Sequence, residues 1–341
     1  MKFLSGLCLA VLVSLSCAAF AQTTEQKSQQ QRQLTQPGNN ADVWRGVRKE
    51  GQEHYTSIKG RETGVLVQSW GDTWRRIRNG PVTFWGGWLV VLACAAILAL
   101  YFVKGPVKLH DRPTGRMLPR FSNAERIMHW TVAISFCVLG LSGLIMLFGK
   151  HVLLPIIGYT LFAWLTALCK NLHNFIAPFF IVSVLVMVLM WAKDNLWRSY
   201  DWAWLAKMPA FFLRGEHHPS GRFNAMEKVW FWGFVVVLSI VVTWSGLILL
   251  FPNFDQTRST MQEAWIWHAC AAIAYIGMAL GHIYMGTIGV EGAYQNMREG
   301  VTDETWAREH HSIWYDEVRS GKSAARGGAV PAGAPHREER S

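Results

Sequence analysis

Four histidines, His129, His173, His268 and His282, stand inside stretches that are otherwise strongly apolar. An imidazole in hydrocarbon is costly unless its ring nitrogens are used, so histidines in such positions mark function by default. His268 and His282 are 282 − 268 = 14 residues apart, which on a helix is about 21 Å of rise and a return to within roughly 40° of the same face. One face of one helix can therefore carry two stacked planar cofactors. Neutral imidazole suits iron, and two imidazoles on opposite sides of a haem complete its axial coordination. Such a centre has no open position for a substrate, so its chemistry is electron transfer. Zinc, copper and purely structural histidines are the competing readings, and these would be expected to come with Cys or carboxylates nearby.

The cysteines offer no other redox site. Cys8 and Cys17 lie in the first apolar run, whereas Cys94, Cys137, Cys169 and Cys270 lie in or beside later ones. There is no C-x-x-C-H for covalent haem and no cysteine run for an iron–sulfur cluster.

The elements that must position the histidines follow from composition. Hydrophobic residues make up 51% of the chain and charged residues only 16%, and the apolar residues fall into blocks of about twenty, the length needed to cross a bilayer. Residues 1–21 read as a secretory signal, with Lys2 ahead of an apolar run that ends in Ala19-Phe20-Ala21. Residues 22–81 form an exported polar segment, Gln-rich at first and ending in an interfacial lead-in around Trp74, Arg75, Arg76 and Arg78. Five spans are predicted, roughly over 82–103, 129–148, 171–192, 229–251 and 264–284. The apolar stretch from His151 to Leu168 is read as an outer cap broken by Pro155 and Gly158 rather than as a sixth span.

Loop charge sets the orientation. Residues 104–125 carry Lys104, Lys108, Arg112, Arg116 and Arg120, and the 193–228 loop carries Arg198, Lys207, Arg214 and Arg222. Both are placed on the cytoplasmic side. The mature N-terminus is then periplasmic, and the 291–341 tail is cytoplasmic. On that topology His129 and His282 share the inner level, while His173 and His268 share the outer one. The predicted fold is thus an all-α membrane protein, a four-helix transmembrane bundle over 126–290 with two haems b, plus one additional N-terminal transmembrane helix. The lipid bilayer is its surroundings, and no nucleic acid is implied. Arg126 and Lys170 lie near the two levels as candidate partners of haem propionates. His54, His110, His151, His310 and His311 are read as solvated or interfacial, and His217 and His218 as loop residues open to proton handling.

These residues also carry a family resemblance. Arg126-Ile127-Met128-His129-Trp130-Thr131, Leu172-His173 with Pro178-Phe179-Phe180, Gly221-Arg222-Phe223-Asn224-Ala225, His268, His282 with Tyr284-Met285, and the tail Trp306-Ala307-Arg308-Glu309-His310-His311 resemble the gamma (cytochrome b556) subunit of respiratory formate dehydrogenase, in a longer form. The resemblance implies an outer haem on His173 and His268 and an inner haem on His129 and His282. It also implies a cytoplasmic-side quinone site, for menaquinone or ubiquinone, faced by Asn224 and His282. It departs at Met226, where the family has a glycine beside the quinone. The implied partners are an iron–sulfur beta subunit, which delivers electrons to the outer haem, and an alpha subunit with a molybdenum or tungsten pterin, which oxidises formate. A cytochrome b anchor of a nickel–iron hydrogenase or of a thiosulfate-type reductase is the alternative with the same haem physics.

Overall fold

The computed structural model describes residues 70–252 and 254–322. The expected signal peptide, most of the exported segment and the end of the tail lie outside the described residues. Among the described residues, five helices are long and apolar enough to cross a membrane. They are α1 (Gly71–Lys104), α2 (Asn123–Val152), α3 (Leu154–Trp191), α6 (Ala225–Leu250) and α7 (Arg258–Gly289). Between α3 and α6 lie the short helices α4 (Ser199–Ala206) and α5 (Met208–Arg214). After α7 come α8 (Ala293–Glu299), α9 (Glu304–His310) and α10 (Ser312–Arg319). The strands β1 (Met117–Pro119) and β2 (Val301–Asp303) pair antiparallel, Leu118 opposite Thr302. The protein is an all-α membrane protein, and large apolar side chains such as Phe84, Leu92, Phe175 and Ile240 are exposed along its spans, as lipid-facing surfaces require.

All five helices begin before their predicted spans, the first and the third by more than ten residues. The first starts at Gly71, because the Arg-rich lead-in is itself helical and runs through a π-helical turn over Arg78–Val82 that contains Pro81. That wider turn accommodates a proline, which has no backbone N–H to donate. In the third, a short turn over 154–157, with Pro155 in its tolerated first turn, is set off by a kink at Gly158, at φ 76° and ψ 171°, where the sequence places a break. From 159 onward the helix runs on into the predicted span.

The chain forms two compact units. One contains Val138–Phe175, with the later part of α2 and the earlier part of α3. The other contains Trp70–Cys137, Ile176–Pro252 and residues from Ser259 onward. Within the second unit, α1 packs on α7: Trp74 meets Trp265 edge-on at 5.9 Å, and the Arg78 guanidinium lies over both rings at 5.3 and 5.1 Å.

The spans α2 and α6 in this unit start with reciprocal caps. Ser122 and Glu125 form a capping box for α2, with Ser122 N–H donating to Glu125 Oε2 at 2.8 Å and Glu125 N–H to Ser122 Oγ at 3.3 Å. Glu125 then does more than cap. Its other oxygen accepts from Trp191 Nε1 at 3.0 Å and from Arg222 at 2.8 Å, and Arg222 also pairs with Asp194 at 2.6 Å. One buried carboxylate thereby ties the start of α2 to the end of α3 and to the segment entering α6. Lys228 and Asp201 make a second buried pair at 2.8 Å between α6 and α4.

Candidate functional site

His129 lies two turns into α2, and its fixed distance from the Ser122 cap sets its depth. His282 lies near the end of α7. Their rings face each other in the second unit with centroids 6.2 Å apart and planes at 54°. Two imidazoles on opposite sides of one metal, each at a metal–nitrogen length of about 2 Å, would have centroids about 6 Å apart. Nδ1 of His129 is buried and has no hydrogen-bond partner, a state that folded proteins rarely leave uncompensated. The spacing and the orphaned nitrogen both fit a ligand held between these rings.

Aromatic side chains wall this pair. Trp230 stacks on His282 at 4.8 Å and 9°, and Trp191 lies 6.2 Å from His129. Trp230 opens a π-helical stretch of α6, Trp230–Val236, the kind of local widening that often accompanies functional positions. Tyr275 stands on α7 midway between His268 and His282, seven residues from each by 275 − 268 and 282 − 275. It is buried, shares a 3.2 Å hydrogen bond with Ser239, and packs on Phe136 at 4.7 Å and Trp230 at 5.9 Å.

His268, also in the second unit, is held by polar contacts instead. Its Nδ1 is 3.1 Å from the Val242 carbonyl and 3.2 Å from Ser245 Oγ. A carbonyl only accepts, so the proton is on Nδ1 and the lone pair is on Nε2, the arrangement found in metal-ligating histidines. Ser245 donates its own proton to Val241 O at 2.6 Å, which turns an oxygen lone pair toward the ring. A Cβ on Gly246 would come within 3.2 Å of His268 Cε1.

In the first unit His173 has matching company. Ser142 Oγ is 2.9 Å from its Nδ1 and donates to Leu139 O at 3.1 Å. A Cβ on Gly143 would meet His173 Cε1 at 3.6 Å. The two serine–glycine pairs sit in a repeated string, Ser142-Gly143-Leu144-Ile145-Met146-Leu147-Phe148 and Ser245-Gly246-Leu247-Ile248-Leu249-Leu250-Phe251. The histidine reading of the sequence passed over both serines; this repeat in α2 and α6 is the signal that would have found them.

Asn224 is the N-cap of α6. Its Oδ1 accepts from Glu227 N–H at 3.0 Å while Glu227 Oε2 accepts from Asn224 N–H at 2.7 Å. The cap occupies the amide oxygen and directs Nδ2 elsewhere. Met226 joins the apolar cluster around Trp204, Phe211, Ala225 and Val290. Arg126, a candidate propionate partner, directs its guanidinium to Asn123 Oδ1 at 3.0 Å and to the carbonyls of Met297 and Arg298.

The tail histidines differ from their expected solvated role. His310 and His311 are both buried. His311 accepts from Arg120 at 2.9 Å through Nε2 and donates from Nδ1 to Gly221 O at 2.7 Å. Burial first, and then the Arg120 charge, hold its pKa well below the usual histidine value, so it is neutral. Arg120 is itself buried beneath Trp306 at 4.9 Å, and burial lowers it to about 10, still charged at neutral pH. A basic loop residue with no apolar pattern around it gives no sequence signal of such burial.

Histidines held this way across apolar helices define a class, the membrane cytochromes b. A family model described as prokaryotic cytochrome b561 matches residues 120–300. The chain is 31% identical over 203 residues to the cytochrome b556(fdo) subunit of formate dehydrogenase from Escherichia coli (strain K12), a match covering 59% of this chain and 92% of that protein. It is 27% identical over 218 residues to the nitrate-inducible cytochrome b556(Fdn) subunit of the same organism, covering 61% and 94%. The chain therefore belongs to the prokaryotic cytochrome b561 family and, within it, to the formate dehydrogenase cytochrome b556 subunits.

Proposed function

We propose that this chain carries electrons from a periplasmic iron–sulfur subunit, by way of two haems b, to menaquinone or ubiquinone on the cytoplasmic side of the bacterial inner membrane. The observation that carries this reading is the facing pair His129 and His282, 6.2 Å apart by ring centroids, with the buried His129 Nδ1 unpartnered. His173 and His268 are the ligands assigned to the outer haem, and His129 and His282 to the inner one. Haem iron ligated by imidazole on both faces supplies one-electron storage without a substrate position. The chain's own residues set how that iron is held. The Val242 carbonyl and Ser245 fix the tautomer of His268, Ser142 orients His173, and Trp230 fixes the ring plane of His282 by stacking.

The orientation rests on the basic 104–125 and 193–228 loops, which favour the cytoplasmic side. Movement of an electron over the about 21 Å between the two levels crosses much of an about 30 Å hydrocarbon layer. One full charge across 100 mV is worth about 2.3 kcal/mol, so turnover is electrogenic if the quinone draws its protons from the cytoplasm. The alpha subunit, with molybdenum or tungsten pterin, oxidises formate in this scheme; this chain does not.

Asn224 is assigned to the quinone with His282. Its Oδ1 is used by the cap, and its Nδ2 is the donor proposed for a quinone carbonyl. Asn224→Asp tests this, since a carboxylate still caps the helix but has no donor. In the assembled complex both haems should remain and be reduced by formate, while quinone reduction slows and a quinone-analogue inhibitor binds more weakly. Wild-type quinone kinetics and inhibitor binding would leave Asn224 as a cap alone and move the quinone elsewhere.

A further inference from the structure

A second cluster of ligating groups lies outside the spans, within the second unit. It joins His110 from the loop after α1, His217 from the loop ahead of α6 and Glu309 from α9. One ligand atom from each lies within 4.8 Å of the others. Glu309 is the pivot. Its Oε2 is 3.5 Å from His217 Nε2 and 3.8 Å from His110 Nδ1. Its two oxygens also accept backbone N–H bonds, Oε2 from His110 and Oε1 from Asp111, each at 2.9 Å. The carboxylate is thus locked in place by the loop it faces, as ligating carboxylates are.

His217 is the residue that asks for a ligand. Its side chain is only 8% exposed. Both ring nitrogens are buried, and although the Lys108 backbone and the Glu309 carboxylate lie near, neither nitrogen reaches hydrogen-bond geometry. A buried polar group left unsatisfied is costly, and a ligand on it removes that cost. The His110 ring stands edge-on to His217, with centroids 5.0 Å apart and planes at 70°. A pair so arranged converges on the carboxylate instead of stacking. His110 is exposed, which gives an ion a path from solvent.

We propose that His110, His217 and Glu309 bind a zinc ion that clamps together the loop after the first span, the loop before the fourth and the C-terminal segment. Two imidazoles and one carboxylate are an established zinc donor set, with water in the fourth position. The ligands are far apart in the chain, by 217 − 110 = 107 and 309 − 217 = 92 positions. Closing loops of that length is where a metal clip gains most over the unfolded chain. The clamp joins segments that already meet at the β1–β2 pairing and at Arg120, whose guanidinium contacts Arg222 O and His311. It does not depend on the haem assignments above.

The test uses the full haem-loaded chain in detergent, stripped with a chelator and dialysed against zinc alone. Elemental analysis should find one zinc per chain more than in a His217→Ala/Glu309→Gln variant, and zinc-edge X-ray absorption should show two imidazoles with oxygen ligands. Zinc should also raise the melting temperature of the wild type and leave that of the variant unchanged. His110→Ala alters an exposed side chain, so folding and haem content should persist while zinc affinity falls about tenfold or more. Equal zinc content in wild type and double variant, or a wild type that retains no zinc after dialysis, would overturn the proposal.

Discussion

Histidines are held inside two regions of this molecule in different physical ways, half-buried or exposed in the spans and buried at the polar end. In the spans, His129 keeps a buried nitrogen without a partner and His268 has a glycine against its ring. At the polar end, His311 uses both nitrogens on protein groups, Arg120 and Gly221, and is filled in from all sides. The first kind is arranged for something added between the helices. The second is a finished hydrogen-bond junction that carries a buried arginine. Burial of a histidine therefore does not identify a ligand; the fate of each ring nitrogen does.

The largest expected effect separates the two kinds. His282→Ala or His129→Ala should remove one of two haems, and His268→Ala or His173→Ala the other, each halving the haem content measured by pyridine haemochrome. Retention of two bis-histidine spectra in His268→Ala would break the assignment. His311→Ala should do the reverse. Both haems stay, but the loss of the acceptor for buried Arg120 should destabilise the fold by about 2–3 kcal/mol, read as an earlier thermal transition of the detergent-solubilised protein. If His311→Ala instead lost haem, the distinction between the regions would fail.

Smaller changes sharpen the contrast inside the spans. A Cβ on Gly246 would sit at 3.2 Å from His268, whereas one on Gly143 would sit at 3.6 Å from His173. Gly246→Ala should thus broaden the outer haem's low-spin spectrum while Gly143→Ala leaves it nearly unchanged. The smallest effect is expected from Ser245→Ala. It removes one of two acceptors near His268 Nδ1, and less electron density on the imidazole favours reduced iron. The outer midpoint potential should rise by about 40 mV at most, the equivalent of roughly 1 kcal/mol for a one-electron couple, in a redox titration that leaves the inner haem unmoved.

The sequence and the structure divided the work along a physical line. Hydrophobic blocks of bilayer length come from composition, so the five spans and the all-α class were legible in the chain, and the family motifs around His129, His173, Asn224, His268 and His282 were legible in their order. The level shared by His129 and His282 also followed from span direction and helical rise, and the two rings do face each other. Helix starts were less legible. The pattern marked where apolar residues begin, yet the Arg-rich turn before the first span is helical because backbone hydrogen bonding continues past the apolar boundary, and the apolar stretch after Gly158 is one helix with the span that follows it.

What only the tertiary structure decided is the fate of polar groups that depend on distant partners. Glu125 reads as a capping residue from Ser122-Asn123-Ala124-Glu125, but its bonds to Trp191 and Arg222 come from positions 66 and 97 residues away. His310 and His311 read as solvated tail residues, and they are buried because Arg120, Trp306 and Gly221 close over them. Periodicity and propensity are local and are written residue by residue in the chain. A hydrogen bond between segments a hundred residues apart has no local signature, and it exists only once the helices have brought those segments together.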